Sequence, residues 1–414
     1  MASKSQPQLT PRPVASAASS LRGCPICCGK KCEVLHEQQF VLAEGHPLAK
    51  GYSVVVCARC GFVYADTQVS QADYDAFYAR FSKYEDTKTS TGGGGSAEDA
   101  LRLKEMAACI AQTIPDRNAR LVDIGCANGG LLKELRALGY SNLVGIDPSP
   151  ACVEATKSLC SAEAHVGSLS ALPRELGKFD GVILSHVLEH VQDLAQAVKA
   201  IGSLTARRGV AYIEVPDASR YAECLLAPFQ DFNTEHINHF SPRGLRNLFA
   251  AHGWAEESAG AKTLEAAPGM PYPAAFGFFA KAPASAGPIA LKKDSALRGL
   301  IADYIALSRA MMTDIDERIR RVLKKNQSVI VWGTGQLAMK LLGETCLGTA
   351  NIAAFVDGNP VNQGKVLRGR PILAPDKLPG SSHPIIITSI IQGWAIARAI
   401  ERQQLPNPVV FLAN

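Results

Sequence analysis

Across the middle of the chain, short runs of β-branched and aliphatic residues alternate with stretches of helical periodicity. Arg120–Ile124, Leu143–Ile146, Gly181–Leu184 and Val210–Val215 predict strands, and Ala100–Thr113, Gly130–Leu138, Ala151–Leu159 and Leu194–Leu204 predict the helices between and around them. Parallel strands cannot be joined by a tight turn, so a strand–helix–strand alternation dictates a parallel sheet with helices on its faces. The fold class is therefore α/β, with a central Rossmann-like sheet. The pattern restarts at Ser328–Trp332, followed by a helix from Gln336 and strands Ile352–Val356 and Ile385–Thr388, which predicts a second, smaller Rossmann-like unit. Between the two, the chain turns rich in Ala, Gly and Pro around Ala259–Pro288, and Ser295–Lys325 reads as one long amphipathic helix. A domain boundary is placed there.

Composition removes several function classes. With 414 residues, 47% hydrophobic and 20% charged, the chain has the ordinary globular balance and length for several cores. A net charge of only +5, with no local basic patch, argues against a nucleic-acid partner. No stretch approaches the roughly 18–20 apolar residues of a membrane span, so no membrane partner is expected; Pro384–Ile391 suits a buried strand. Residues 1–21, rich in Ser, Ala, Pro and Gln, read as a disordered tail and not a secretory signal, which gives a cytoplasmic localisation.

Six of the 12 cysteines fall between Cys24 and Cys60. Cys24-Pro-Ile-Cys27 and Cys57-Ala-Arg-Cys60 form two C-x-x-C knuckles 30 positions apart, each closely followed by glycine. Two residues between thiolates let a tight turn aim both sulfurs at one tetrahedral ion, so the pair predicts structural Zn2+ in a zinc-binding domain and linker over 22–90. Cys28 and Cys32 are the alternatives to Cys27. Thr91–Ser96, with four consecutive glycines, reads as a connector to a central domain over 97–285; a C-terminal substrate-binding domain occupies 290–414.

Leu121-Val122-Asp123-Ile124-Gly125-Cys126-Ala127-Asn128-Gly129-Gly130 is a buried strand that runs into a glycine turn and opens a helix. Small residues there let a ligand approach backbone N–H donors at the helix N-terminus. Asp147 ends the next strand, 22 positions after Gly125, where a carboxylate reaches the hydroxyls of a ribose. The turn lacks the spacing of a dinucleotide motif and suits a mononucleoside. These residues resemble the class I S-adenosylmethionine-dependent methyltransferases: their first motif is similar to Asp123–Gly129 and their acidic residue to Asp147. Later signatures are similar to Val166–Leu169 and Phe179–Val191. The resemblance implies S-adenosyl-L-methionine held by Asp123, Gly125, Cys126, Gly129, Asp147, Ser168 and Ser185. An NAD-type oxidoreductase is the alternative for such a sheet.

Ser185–His190 and Thr234–Ser241 are two histidine-bearing runs near one sheet edge. With the cysteine knuckles, Glu235-His236, Phe240-Ser241 and the late Phe355-Val356-Asp357-Gly358-Asn359-Pro360, the whole resembles the sugar C-methyltransferase family. That resemblance implies methylation of a carbon of a nucleotide-linked keto-deoxysugar. It makes His236 the general base, Glu235 its polar partner, His190 a second active-site histidine and Tyr84 a tyrosine reaching in from the linker. Asn233 stands where the family carries a tyrosine; it can donate a hydrogen bond but cannot act as an acid. The chemistry suits the residues: abstraction of a proton next to a carbonyl asks for a base of pKa about 6.5, and the resulting enolate for hydrogen-bond donors. An oxygen or nitrogen acceptor on a related sugar could use the same base, and a non-catalytic zinc-containing scaffold would keep the fold without turnover. In the C-terminal unit Gly333, Gly335 and Asp357 are read as holding substrate, with a second dinucleotide site or a structural lid as alternatives.

Overall fold

The computed structural model describes residues 18–19, 21–81, 93–265, 267–283, 285, 287, 289–378, 380–390 and 392–412. Tyr84, most of the expected N-terminal tail and the first part of the glycine connector lie outside the described residues. The end of that tail is ordered differently from the expectation: Ala18–Ser19 pairs antiparallel with Lys31 and Cys32, and the Leu21 and Arg22 N–H groups donate to the Asp66 carboxylate.

Three sheets organise the chain. The first is antiparallel and carries the cysteines: Lys31–Gln39, Gly51–Cys57 and Val63–Asp66 form its body, and Asn238–His239, from far along the chain, closes its edge against Val63 and Tyr64. The second has seven strands. Leu121–Ile124, Leu143–Asp147, Glu163–Val166, Phe179–Ser185 and Thr205–Pro216 are parallel, and their chain order places the first strand centrally with a crossover on each side. Ligands of open α/β sheets sit at such a reversal, outside the carboxyl ends of the strands.

The two outer strands, Trp254–Glu265 and Pro271–Lys281, occupy the region that composition marks as a boundary. Ladder hydrogen bonds belong to the backbone, so pairing with Thr205–Pro216 overrides the weak strand propensity of Ala, Gly and Pro. The third sheet sets Val329–Trp332 between Ile352–Val356 and Ile385–Ile387, all parallel.

One apolar core joins the first and third sheets, and another joins the cysteine sheet to the middle sheet. Val54 and Val63 of the first sheet, Phe229 and Phe232 from the loop before Asn233, Leu297, Ile301 and Tyr304 of the helix Leu297–Lys325, and Val329 and Phe355 of the third sheet are buried together. Among the described residues no helix is long and apolar enough to cross a membrane.

Candidate active site

The four knuckle sulfurs converge. Cys24 Sγ lies 3.5 Å from Cys60 Sγ and Cys27 Sγ 3.5 Å from Cys57 Sγ, with all four ligand atoms within 4.8 Å of one another and all four residues buried. Sulfurs bound at about 2.3 Å to a tetrahedral ion stand about 3.8 Å apart, so the cluster fits such an ion. Cys28 is exposed and Cys32 is buried outside the set, so the sulfurs that converge are those of Cys24, Cys27, Cys57 and Cys60. The Cys24 N–H donates to the Gly29 carbonyl and the Gly61 N–H to the Cys57 carbonyl, both at 2.9 Å, closing the two tight turns.

At the middle sheet, Gly125 takes φ +80° and Gly129 φ +81°. A Cβ on Gly125 would stand 2.7 Å from Val187 Cγ2, so only glycine fits the turn. Gly129 is the N-cap of the helix Gly130–Ala137 and brings no side chain to it, leaving the helix N-terminus open to a ligand. The Asp147 carboxylate accepts the N–H groups of Ala127 and Ser149, each at 2.9 Å, so it shapes the turn while still lining the cavity. Asp123 is buried; desolvation, then the neighbouring Asp147, raises its pKa to about 7 against the pull of Arg102. Ser168 hydrogen-bonds Ser170 at 2.7 Å, and Ser185 donates to Glu214 at 3.1 Å. Cys126 lies 3.6 Å from the Thr156 hydroxyl at the floor of the turn. Gly125, Cys126, Ala127, Leu131 and Asp147 line one cavity and fit a nucleoside donor, whereas Gly129 does not line it.

The histidine-bearing turn is braced from several sides. Asn233 Oδ1 accepts the N–H groups of Glu235 (2.8 Å) and His236 (2.9 Å), and its Nδ2 donates to Gln230 O at 3.2 Å. Both ends of this carboxamide are thus engaged by the chain itself, and Asn233 builds the turn. Ile237 N donates to Glu189 O at 2.8 Å, and Asn238 Nδ2 to Leu188 O (2.8 Å) and Val191 O (2.7 Å). The Arg22 guanidinium adds bonds to Ile237 O (3.3 Å) and Asn238 Oδ1 (3.1 Å).

The bracing sets the His190 and His236 rings 4.9 Å apart at 63°. His190 Nδ1 lies 3.1 Å from the Glu235 carbonyl oxygen. A carbonyl only accepts, so this bond assigns the hydrogen of a neutral His190 to Nδ1 and leaves Nε2 as an acceptor. Tyr78 Oη donates to Glu235 Oε2 at 3.4 Å, and its ring meets His190 edge-on. Glu189, His190 and His236 offer ligand atoms within 4.8 Å of one another, a spacing a cation could use. Here Glu189 already faces His186 Nδ1 at 3.2 Å, and the His190 carbonyl bond completes an acid–base cluster. His239, in the same run, is a core residue: fully buried, with burial lowering its pKa to about 3, it packs on Phe232.

Residues 98–259 match the family described as "Methyltransferase domain". This part of the chain is similar to a methyltransferase domain. Its sheet has the class I Rossmann-like form. A ubiquinone biosynthesis O-methyltransferase of Methylocella silvestris is 30% identical over 145 residues, covering 34% of this chain and 52% of the relative. Its counterpart from Ralstonia nicotianae is 31% identical over 142 residues, covering 33% and 57%. The chain thus spans about half the length of these curated relatives. Among solved structures, an S-adenosylmethionine-dependent methyltransferase from Methanosarcina mazei aligns with a TM-score of 0.36 and 19% identity, over 42% of this chain and 97% of that one.

The middle sheet and its helices do not enclose the cavity alone. A continuous space of about 1400 Å³ runs from Asp123, Gly125 and Asp147 past His190, His236 and Asn233 to Gly333, Thr334 and Asp357. At that far end Asp357 Oδ2 accepts from Thr334 N (2.8 Å), Thr334 Oγ1 (2.6 Å) and Asn362 Nδ2 (3.1 Å), and Oδ1 from Asn359 N (2.8 Å). Asp357 therefore shapes the turn while still lining the cavity. Sequence reasoning missed Tyr78, Glu189, Glu214 and Gln336 as parts of the site. Only Glu189, inside a quoted histidine run, carried a signal; the others meet it through long-range packing.

Proposed function

We propose that the protein transfers a methyl group from S-adenosylmethionine to a carbon of a nucleotide-linked keto-deoxysugar, with His236 as the base. The single cavity that joins the donor edge, the imidazole pair and the C-terminal glycine turn supports this reading, because an acceptor with a reacting sugar and a remote nucleotide needs that length. When bound, the donor supplies an electrophilic methyl on a sulfonium. Gly125 and Asp147 hold it; His236 takes the proton from the carbon beside the acceptor's carbonyl; and His190, with Tyr84 outside the described residues, attends the developing enolate. Asn233 and Glu235 hold the turn that aims both rings. The cysteine cluster holds zinc in a closed four-sulfur shell with a structural role.

Transfer to an oxygen is the second reading, favoured by the curated relatives, which are O-methyltransferases. Both predict a gain of one methyl in a mass-spectrometric screen of nucleotide-sugars with S-adenosylmethionine. They part in heavy water. Carbon methylation replaces the α-hydrogen of the keto-sugar by methyl, and an enolate formed reversibly exchanges that hydrogen with solvent, whereas an oxygen acceptor keeps its carbon-bound hydrogens in the product. His236→Ala should lower turnover by at least about 10²-fold while S-adenosylmethionine affinity, read by calorimetry, stays within about twofold; near-normal rates would remove His236 as the base. Absence of donor binding to the parent protein would leave the scaffold reading.

A further inference from the structure

Gln336 is the first residue of the helix Gln336–Glu344 and follows the turn Gly333–Gly335, which Asp357 pins to the third sheet. Its carboxamide reaches across the cavity. Oε1 accepts the Thr234 N–H at 3.2 Å, and Nε2 donates to Thr234 Oγ1 at 2.8 Å and to Glu235 Oε1 at 3.2 Å. All three bonds fall on the two residues that precede His236, about a hundred positions earlier in the chain. The other oxygen of the same Glu235 carboxylate accepts from Tyr78, and the Glu235 carbonyl fixes the His190 hydrogen on Nδ1. One side chain therefore holds the backbone and both side chains of the segment that aims the imidazole pair.

We propose that Gln336 is a positioning residue for the His190–His236 pair. The inference rests on the reading of His236 as the base, and Gln336 lines the same cavity as His190 and His236. Glutamine is suited to the post because its planar head presents an acceptor and a donor together. Glutamate would lose the donor and set a carboxylate against Glu235; methionine would keep the length and lose both polar ends.

The test compares the full-length parent with Gln336→Met and Gln336→Glu. A carboxylate at a helix N-terminus is electrostatically favourable, which keeps the second variant folded. Native-state hydrogen exchange should accelerate by about tenfold at the Thr234, Glu235 and His236 amides in both variants and stay unchanged in the middle sheet. The 15N spectrum of labelled histidine should show His190 moving from the Nδ1–H tautomer toward a mixture. S-adenosylhomocysteine, used as the donor-site probe, should bind all three proteins within about twofold of one another. Unchanged exchange at those three amides, an unchanged His190 signal, or acceleration spread over the whole chain would each overturn the proposal. A parent that fails to bind S-adenosylhomocysteine would sink the methyltransferase reading alone, because the exchange and tautomer results are read without it.

Discussion

His186 sits at φ +55° between two buried carboxylates, with Nδ1 3.2 Å from Glu189 and Nε2 3.4 Å from Glu214. Burial alone would depress its pKa; hydrogen bonding and charge from Glu189 and Glu214 overcome this and raise it to about 9. Because the folded value lies above the ordinary 6.5, the stabilisation is complete below about pH 6.5 and is lost as the pH rises through about 9. Calorimetry should show the unfolding temperature falling between pH 7 and 10, and His186→Gln should be less stable at pH 7 and show a shallower fall. An identical slope in the two proteins would refute the assignment. Lys262 and Tyr212 complete the surroundings of Glu214, at 2.5 and 2.6 Å. His186 was visible in the sequence only as one member of a histidine run. Its partner Glu214 lies on the neighbouring strand, and strand registry, which no local pattern encodes, brings them together. His239 shows the converse: it lies in the same histidine-bearing run as His236, yet its burial among aromatic rings removes it from the chemistry.

At the scale of elements, the two knuckles were legible because a metal site needs only short-range spacing to form each half. What they support was not legible. Gly61, just after the second knuckle, has φ +78°, and a Cβ there would lie 2.0 Å from the Asp294 carbonyl oxygen. The Asp294 N–H in turn donates to Cys60 O at 2.9 Å, and its carboxylate accepts from Ser241 at 2.6 Å and caps the start of the long helix. The second knuckle is thus packed between the loop that carries His236 and the helix that leads to the third sheet. Gly61→Ala should destabilise the protein by about 2–4 kcal/mol, from left-handed strain together with backbone overlap, and lower the unfolding temperature by several degrees without changing the zinc content measured by elemental analysis. Loss of zinc in that variant would show that the glycine serves the metal turn and not the packing against Asp294. The Ala-, Gly- and Pro-rich region around Ala259–Pro288 conceals its strands for a similar reason: they are held by the backbone of a neighbour, and residue type is a weak guide to edge pairing.

For the molecule as a whole, the apolar core runs from the cysteine sheet through the loop before the base turn to the third sheet, and Lys340 of the C-terminal unit is buried against Gln38 of the first sheet and pairs with Glu344 at 2.8 Å. A shared core should unfold as one unit. Replacement of one zinc ligand, Cys57→Ser, should therefore move the entire calorimetric transition to lower temperature; a separate early transition for the cysteine sheet, with the remainder unshifted, would contradict this. The alternation of strands and helices, the knuckle spacing and the glycine turn with its following carboxylate were decided by the sequence alone, because each depends on periodicity or on contacts a few residues apart. The pairing of His190 with His236, the carboxylates around His186, the conversion of Asn233 and Asp357 into builders of turns, and the reach of Gln336 to the base loop were decided only by the tertiary structure. Those contacts join segments tens to hundreds of residues apart, and burial in a common core, which no local stretch specifies, is what brings them within hydrogen-bonding range.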